Sequence, residues 1–137
     1  MRVLFASAEA YPLVKTGGLA DVSGALPRAL QNLGIDVTLI LPGYRQALAA
    51  TVDKSVVTQI PTPEGTISLI SGRMPDSGVP VWLVDSPRLY DRPGAPYRDE
   101  SGCEWADNAQ RFATFCHIVA SLARGELVSS WRADVVH

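Results

Sequence analysis

A strand, a glycine-bearing loop, a helix and a second strand fall within the first 43 residues, and this order constrains the fold more than any other feature. Val3-Leu4-Phe5-Ala6 is a short apolar run followed by small, turn-prone residues. Such a run reads as a buried strand covered on both faces. From Leu19 the spacing changes: Leu19, Val22, Leu26, Leu30 and Leu33 recur three or four apart, the period of a helix, and Gly34 supplies a left-handed stop. Pro27 lies inside this segment, and a mid-helix proline costs about 3 kcal/mol, so a kinked but continuous helix is expected. Val37-Thr38-Leu39-Ile40-Leu41 is a second buried strand, closed by Pro42-Gly43. Together these elements form a βαβ unit, which demands a parallel sheet core and a right-handed crossover.

The middle of the chain reads differently. Ser55–Ile60, Thr66–Arg73 and Val79–Asp85 are separated by Pro63-Glu64-Gly65 and Pro75-Asp76-Ser77-Gly78, turn clusters that predict hairpins. Ser86–Glu100 holds three prolines and Gly94 and reads as an ordered surface loop. Asp107 is placed to cap a long helix reaching about Arg124, with Gln110 at the capping-box position. Phe112, Phe115, Cys116, Val119, Leu122 and Ala123 give that helix a wide apolar face, which places Cys116 in the core. Val135-Val136-His137 reads as a strand just beginning, so the chain is expected to be the N-terminal piece of a longer protein. The fold class is therefore α/β, with a parallel core and a hairpin-rich middle segment.

Several function classes are excluded early. The chain is 47% hydrophobic and carries no charge block, which argues against disorder. No apolar run approaches the ~18 residues of a membrane span, and residues 1–15 lack the pattern of a signal peptide, so a cytoplasmic address is expected. The net charge is −2 and both signs are spread evenly, leaving no basic face for nucleic acid or anionic lipid. Cys103 and Cys116 form neither a CxxC nor a metal-ligand spacing and are expected to be reduced thiols.

The loop from Ser7 to Leu19 carries the chemistry. It leaves the carboxyl end of a parallel strand, where open α/β sheets bind ligands, and it feeds a helix N-terminus whose unpaired N–H groups favour an anion. Gly17 and Gly18 let a phosphate approach the backbone, and Lys15 adds a full positive charge. A plain strand–helix turn with a solvated lysine would use the same residues. Neither GxGxxG nor GxxxxGK[ST] follows the first strand, which argues against a dinucleotide oxidoreductase and a P-loop NTPase.

Lys15-Thr16-Gly17-Gly18-Leu19-Ala20-Asp21-Val22, followed by Gly24-Ala25-Leu26-Pro27, resembles the N-terminal signature of bacterial glycogen synthases and plant starch synthases. The resemblance continues through Leu41-Pro42-Gly43-Tyr44, Leu89-Tyr90-Asp91-Arg92-Pro93-Gly94, Pro96-Tyr97, Asp107-Asn108 with Arg111-Phe112, and Asp134-Val135-Val136-His137. It thus spans the whole chain in order. It implies the first part of a GT-B glycosyltransferase of two Rossmann-like domains, with residues 1–137 belonging to the N-terminal starch-synthase catalytic domain and the second domain lying outside them. The implied reaction moves glucose from ADP-glucose to the 4-hydroxyl at the non-reducing end of an α-1,4-glucan such as glycogen, with retention, and with neither metal nor cofactor.

By the same resemblance Lys15, Gly17 and Gly18 face the donor nucleotide, while Glu9, Asp21, Tyr97 and His137 line the sugar and acceptor side of the cleft. No residue of this stretch is assignable as catalytic: His137 matches the first histidine of a family segment whose later residues lie beyond it. Simpler roles fit the same side chains. Asp21 at a helix start complements the dipole, worth about 0.3–1 kcal/mol. Glu9 reads equally as a solvated loop acid, Tyr97 as a packing residue, and His117 as a core or helix-surface residue. Two competing functions stand beside the leading one: a flavodoxin-like phosphate-binding module, and a transferase of the same architecture using another nucleotide sugar.

Overall fold

The computed structural model describes residues 1–63 and 65–137; Glu64, in the first predicted turn cluster, lies outside the described residues. The elements are β1 (Arg2–Ala6), α1 (Gly18–Asn32), β2 (Asp36–Pro42), α2 (Arg45–Ala50), β3 (Val52–Thr62), β4 (Gly65–Arg73), β5 (Pro80–Asp85), α3 (Pro87–Tyr90), α4 (Asn108–Ala123) and β6 (Val135–Val136). They build one six-stranded sheet in the order β3-β4-β5-β2-β1-β6. β5, β2, β1 and β6 run parallel, with Val3 opposite both Val37 and Val135. β4 is antiparallel to β5 and to β3, as the turn clusters predict.

The first βαβ unit forms as expected. Val3, Leu4 and Phe5 of β1 and every residue of β2 from Val37 onward are buried, which is the signature of strands covered on both faces. Helix α1 runs without interruption through Pro27, and Gly34 terminates it at a φ of 81°. The stripe that announces the helix is only partly the face it buries: Leu26 and Leu30 pack half-buried against the core. Leu19, Val22 and Leu33 are exposed, whereas Ala20, Ser23 and Pro27 are buried. Small residues face inward because the Ser7–Gly17 loop folds back across them: the Tyr11 N–H bonds the Ala20 carbonyl at 2.9 Å. A Cβ on Gly24 would overlap the Tyr11 carbonyl oxygen, so the close crossing needs a glycine there.

Two expectations for α4 fail. Its buried face is Arg111, Phe115, Ile118, Val119 and Leu122. Cys116 is exposed rather than in the core, because that face turns past it; His117 beside it is also exposed, and both cysteines are free thiols. Asp107 occupies the N-cap position, but its side chain makes no capping bond. Its two carboxylate oxygens instead accept from Arg92 Nη1 and Nη2 at 2.7 and 2.6 Å, a bidentate charge-assisted pair that outcompetes a cap. Among the described residues no helix is long and apolar enough to cross a membrane.

Candidate functional site

Strand order locates the site before any side chain is considered. From β1 the chain passes to β2 and on to the far-edge strand β3, comes back through β4 to β5, and then crosses to place β6 on the other side of β1. The reversal creates a switch point between the carboxyl ends of β1 and β6, the crevice where open α/β sheets take ligands. Ser7–Gly17 leaves β1 there, and His137 leaves β6 beside it, with the Ala6 N–H bonding the His137 carbonyl at 2.8 Å. The His137 ring is exposed and lies 4.7 Å from that of Phe5.

Glu9 organises the loop. The residue is only 3% exposed, so its carboxylate needs partners, and it has four. One oxygen accepts from Thr16 Oγ1 at 2.5 Å and from the Tyr97 phenol at 2.6 Å. The other accepts from the Thr16 N–H at 2.6 Å and the Gly17 N–H at 3.3 Å. Burial alone would raise the Glu9 pKa; the bonds from Thr16, Tyr97 and Gly17 outweigh it and hold the carboxyl below the ordinary glutamate range. Tyr97 shifts the other way. Burial, followed by its bond to the Glu9 carboxylate, pushes the phenol well above its usual value, so it remains a donor at neutral pH.

Ser7 and Ser23 anchor the base of the loop. Ser7 Oγ donates to the Glu9 carbonyl at 2.7 Å and lies 2.9 Å from Ser23 Oγ, both residues being buried. At the mouth, Lys15 Nζ donates to both oxygens of Asp21 at 2.7 Å, with both side chains about half exposed. Gly17 and Gly18 are exposed, neither has a positive φ, and a Cβ at either position would meet no atom within 4 Å. Gly18 opens α1, so its N–H has no partner within the helix.

The seven candidates predicted from sequence, Glu9, Lys15, Gly17, Gly18, Asp21, Tyr97 and His137, therefore gather at or around one sheet edge. Glu9 differs most from expectation: its oxygens are taken up by the loop itself. Sequence reasoning also gave no role to Arg111, although a charged residue on the Phe115–Ile118–Leu122 face of a helix was a readable signal.

A doubly wound α/β domain with an exposed glycine loop at its switch point defines a class of domain that holds ligands at this edge. The particular family follows from known proteins. Residues 2–137 match the starch synthase catalytic domain, and the chain belongs to that family. It is 52% identical to a glycogen synthase of Paramagnetospirillum magneticum, matching the whole chain and 28% of that protein. A glycogen synthase of Burkholderia thailandensis is 48% identical over 98% of the chain and 26% of its own length. Among solved structures, the catalytic domain of Starch Synthase IV from Arabidopsis thaliana, bound to ADP and acarbose, superposes with a TM-score of 0.75 at 25% identity, covering 99% of this chain and 27% of that one. The chain thus spans well under a third of the length of these relatives, and its mixed α/β fold with a six-stranded sheet matches part of a starch synthase catalytic domain.

Proposed function

We propose that this chain is the N-terminal part of a retaining glucosyltransferase that moves glucose from ADP-glucose to the non-reducing end of an α-1,4-glucan. A second Rossmann-like domain would close the cleft over the switch point. The relatives named above support the reaction, and one local observation supports the site. The fold does not need glycine at positions 17 or 18: no Cβ would clash there and no positive φ is required. Bare backbone beside a lysine, at a helix start, suits a diphosphate that approaches the main chain closely.

Lys15 and the amide of Gly18 would then meet the donor diphosphate, where negative charge grows as the glucosyl bond breaks. Lys15 would exchange Asp21 for the diphosphate, freeing Asp21 toward the sugar and acceptor side with Tyr97 and His137. Glu9 would shape the loop from behind rather than touch the sugar.

Steady-state kinetics of the full-length enzyme test this reading, with ADP-glucose and UDP-glucose compared as donors. Gly18→Ala should leave the melting temperature unchanged or slightly raised, since Gly→Ala at a compatible site stabilises by about 0.4–1 kcal/mol, yet raise the donor KM about tenfold. Lys15→Ala should also raise the donor KM, with kcat nearly kept and the glucan KM within a few-fold. An unchanged donor KM in both variants would overturn the site assignment, and a preference for UDP-glucose would overturn the donor.

A further inference from the structure

Arg111 sits where a helix ordinarily places leucine. It shares the buried face of α4 with Phe115, Ile118 and Leu122 and is 1% exposed. Taking a guanidinium out of water costs several kcal/mol, and an apolar side chain of similar volume would fill the space without that cost. The guanidinium supplies directed donors instead. Nε donates to the Leu89 carbonyl at 2.7 Å, and Nη1 to the Pro96 carbonyl at 2.8 Å and to Asn108 Oδ1 at 2.7 Å.

Leu89 and Asn108 flank residues 91–107, which contain no helix and no named strand, and Pro96 lies within them. The Ala95, Tyr97, Arg98 and Cys103 carbonyls accept from N–H groups within the stretch, whereas the Pro96 carbonyl is met by Arg111, whose planar fork of five N–H groups can serve several acceptors at once. The fixed segment carries Tyr97. Its carbonyl accepts from Asn108 Nδ2 at 3.0 Å, and its ring packs 5.7 Å from that of Phe112. The Tyr97 phenol then reaches 88 residues back along the chain to Glu9, whose carboxylate holds the Thr16 and Gly17 amides.

We propose that Arg111 is a positioning residue for the glycine loop, acting through Pro96, Asn108 and Tyr97 on Glu9, so that a side chain on the last long helix sets the shape of the loop after the first strand. The inference rests on the donor-site reading above. It assigns Arg111 no contact with substrate. Its effect belongs to donor binding, because the linkage ends on Thr16 and Gly17, which lie between Lys15 and Gly18 in the loop.

A double-mutant cycle on the full-length enzyme tests it, using Arg111→Lys, Tyr97→Phe and the pair, with ADP affinity, the KM of both substrates and thermal unfolding measured for each. Arg111→Lys keeps the charge but loses the fork, and should raise the donor KM and weaken ADP binding about tenfold while moving the glucan KM less than about twofold. In the Tyr97→Phe background the same substitution should add less than about twofold, because the linkage is already cut. Full multiplicativity of the two effects, or equal losses for donor and glucan, would make Arg111 a general packing residue and overturn the proposal. If Arg111→Lys does not fold, Asn108→Ala replaces it in the same cycle, since it removes the step between Arg111 Nη1 and the Tyr97 carbonyl while keeping the guanidinium and the Trp105 N–H bond to that carbonyl. A wild-type enzyme that does not bind ADP would defeat the donor reading and this inference together; normal ADP binding by both wild type and Arg111→Lys would defeat this inference alone.

Discussion

The two halves of the sheet are built to different rules. In β1, β2 and β5 the central residues are all buried, with no alternation between an inner and an outer face. In β3 the first six residues are all exposed, and in β4 only Ile67 and Leu69 are buried. β1, β2 and β5 are packed from both sides, and β1 ends in the switch-point loop, whereas the parallel strand β6 exposes Val135 and Val136. The β3–β4 hairpin extends the sheet at the far edge and contributes no candidate site residue. Precision at the Ser7–Gly17 loop is therefore carried by strands with no solvent face, and the hairpin is free to vary on its surface.

The largest test of that contrast is Leu39→Ala at the centre of the parallel half. Leu39 is fully buried, and removing it should cost about 2–5 kcal/mol in urea denaturation. A loss below that range would mean the parallel half is packed no better than the hairpin. A smaller effect is expected at its rim. Glu9→Gln should cost about 1–3 kcal/mol, because an amide cannot accept all four of the bonds that the carboxylate accepts. The sign with pH follows from the lowered pKa of Glu9. Its contribution is fully present above the ordinary glutamate value and is lost as pH falls through the depressed one. The difference between wild type and Glu9→Gln should thus shrink on acidification, and a gap that stays constant from neutral to strongly acidic pH would contradict the saturated carboxylate. The smallest effect belongs to the hairpin: Val56 is 60% exposed, and Val56→Thr should change stability by no more than about 0.5 kcal/mol. A greater loss would show that this face is covered.

What the sequence reveals depends on how far apart the interacting groups lie. β1, α1 and β2 are legible because local periodicity and Gly34 define them, and the three middle strands because turn residues punctuate them. The inward face of α1 is not legible, since Ala20, Ser23 and Gly24 face the loop that crosses them, while Leu19 and Val22 carry the visible period. Cys116 is misplaced for a related reason: a wide apolar stripe contains more residues than a helix packed on one side can bury. The glycine loop and its lysine are legible as a local pattern. The roles of Glu9 and Arg111 are not, because each is set by partners that only folding brings near, at sequence separations of 88 for Glu9 and Tyr97 and 22 for Arg111 and Leu89.

The pairing of Lys15 with Asp21, beside the ionised Glu9, bears on how a charged ligand arrives. A free lysine at a helix start would project a positive potential and speed the encounter with any anion, including abundant inorganic phosphate. Here the ammonium is cancelled at 2.7 Å, and a second carboxylate already occupies the neighbouring amides. Beyond a Debye length of about 8 Å little of that field survives, so this loop contributes little long-range steering. Encounter rates at this surface should depend weakly on ionic strength, with selection made at close range, where a ligand must be good enough to draw Lys15 from the aspartate it already holds.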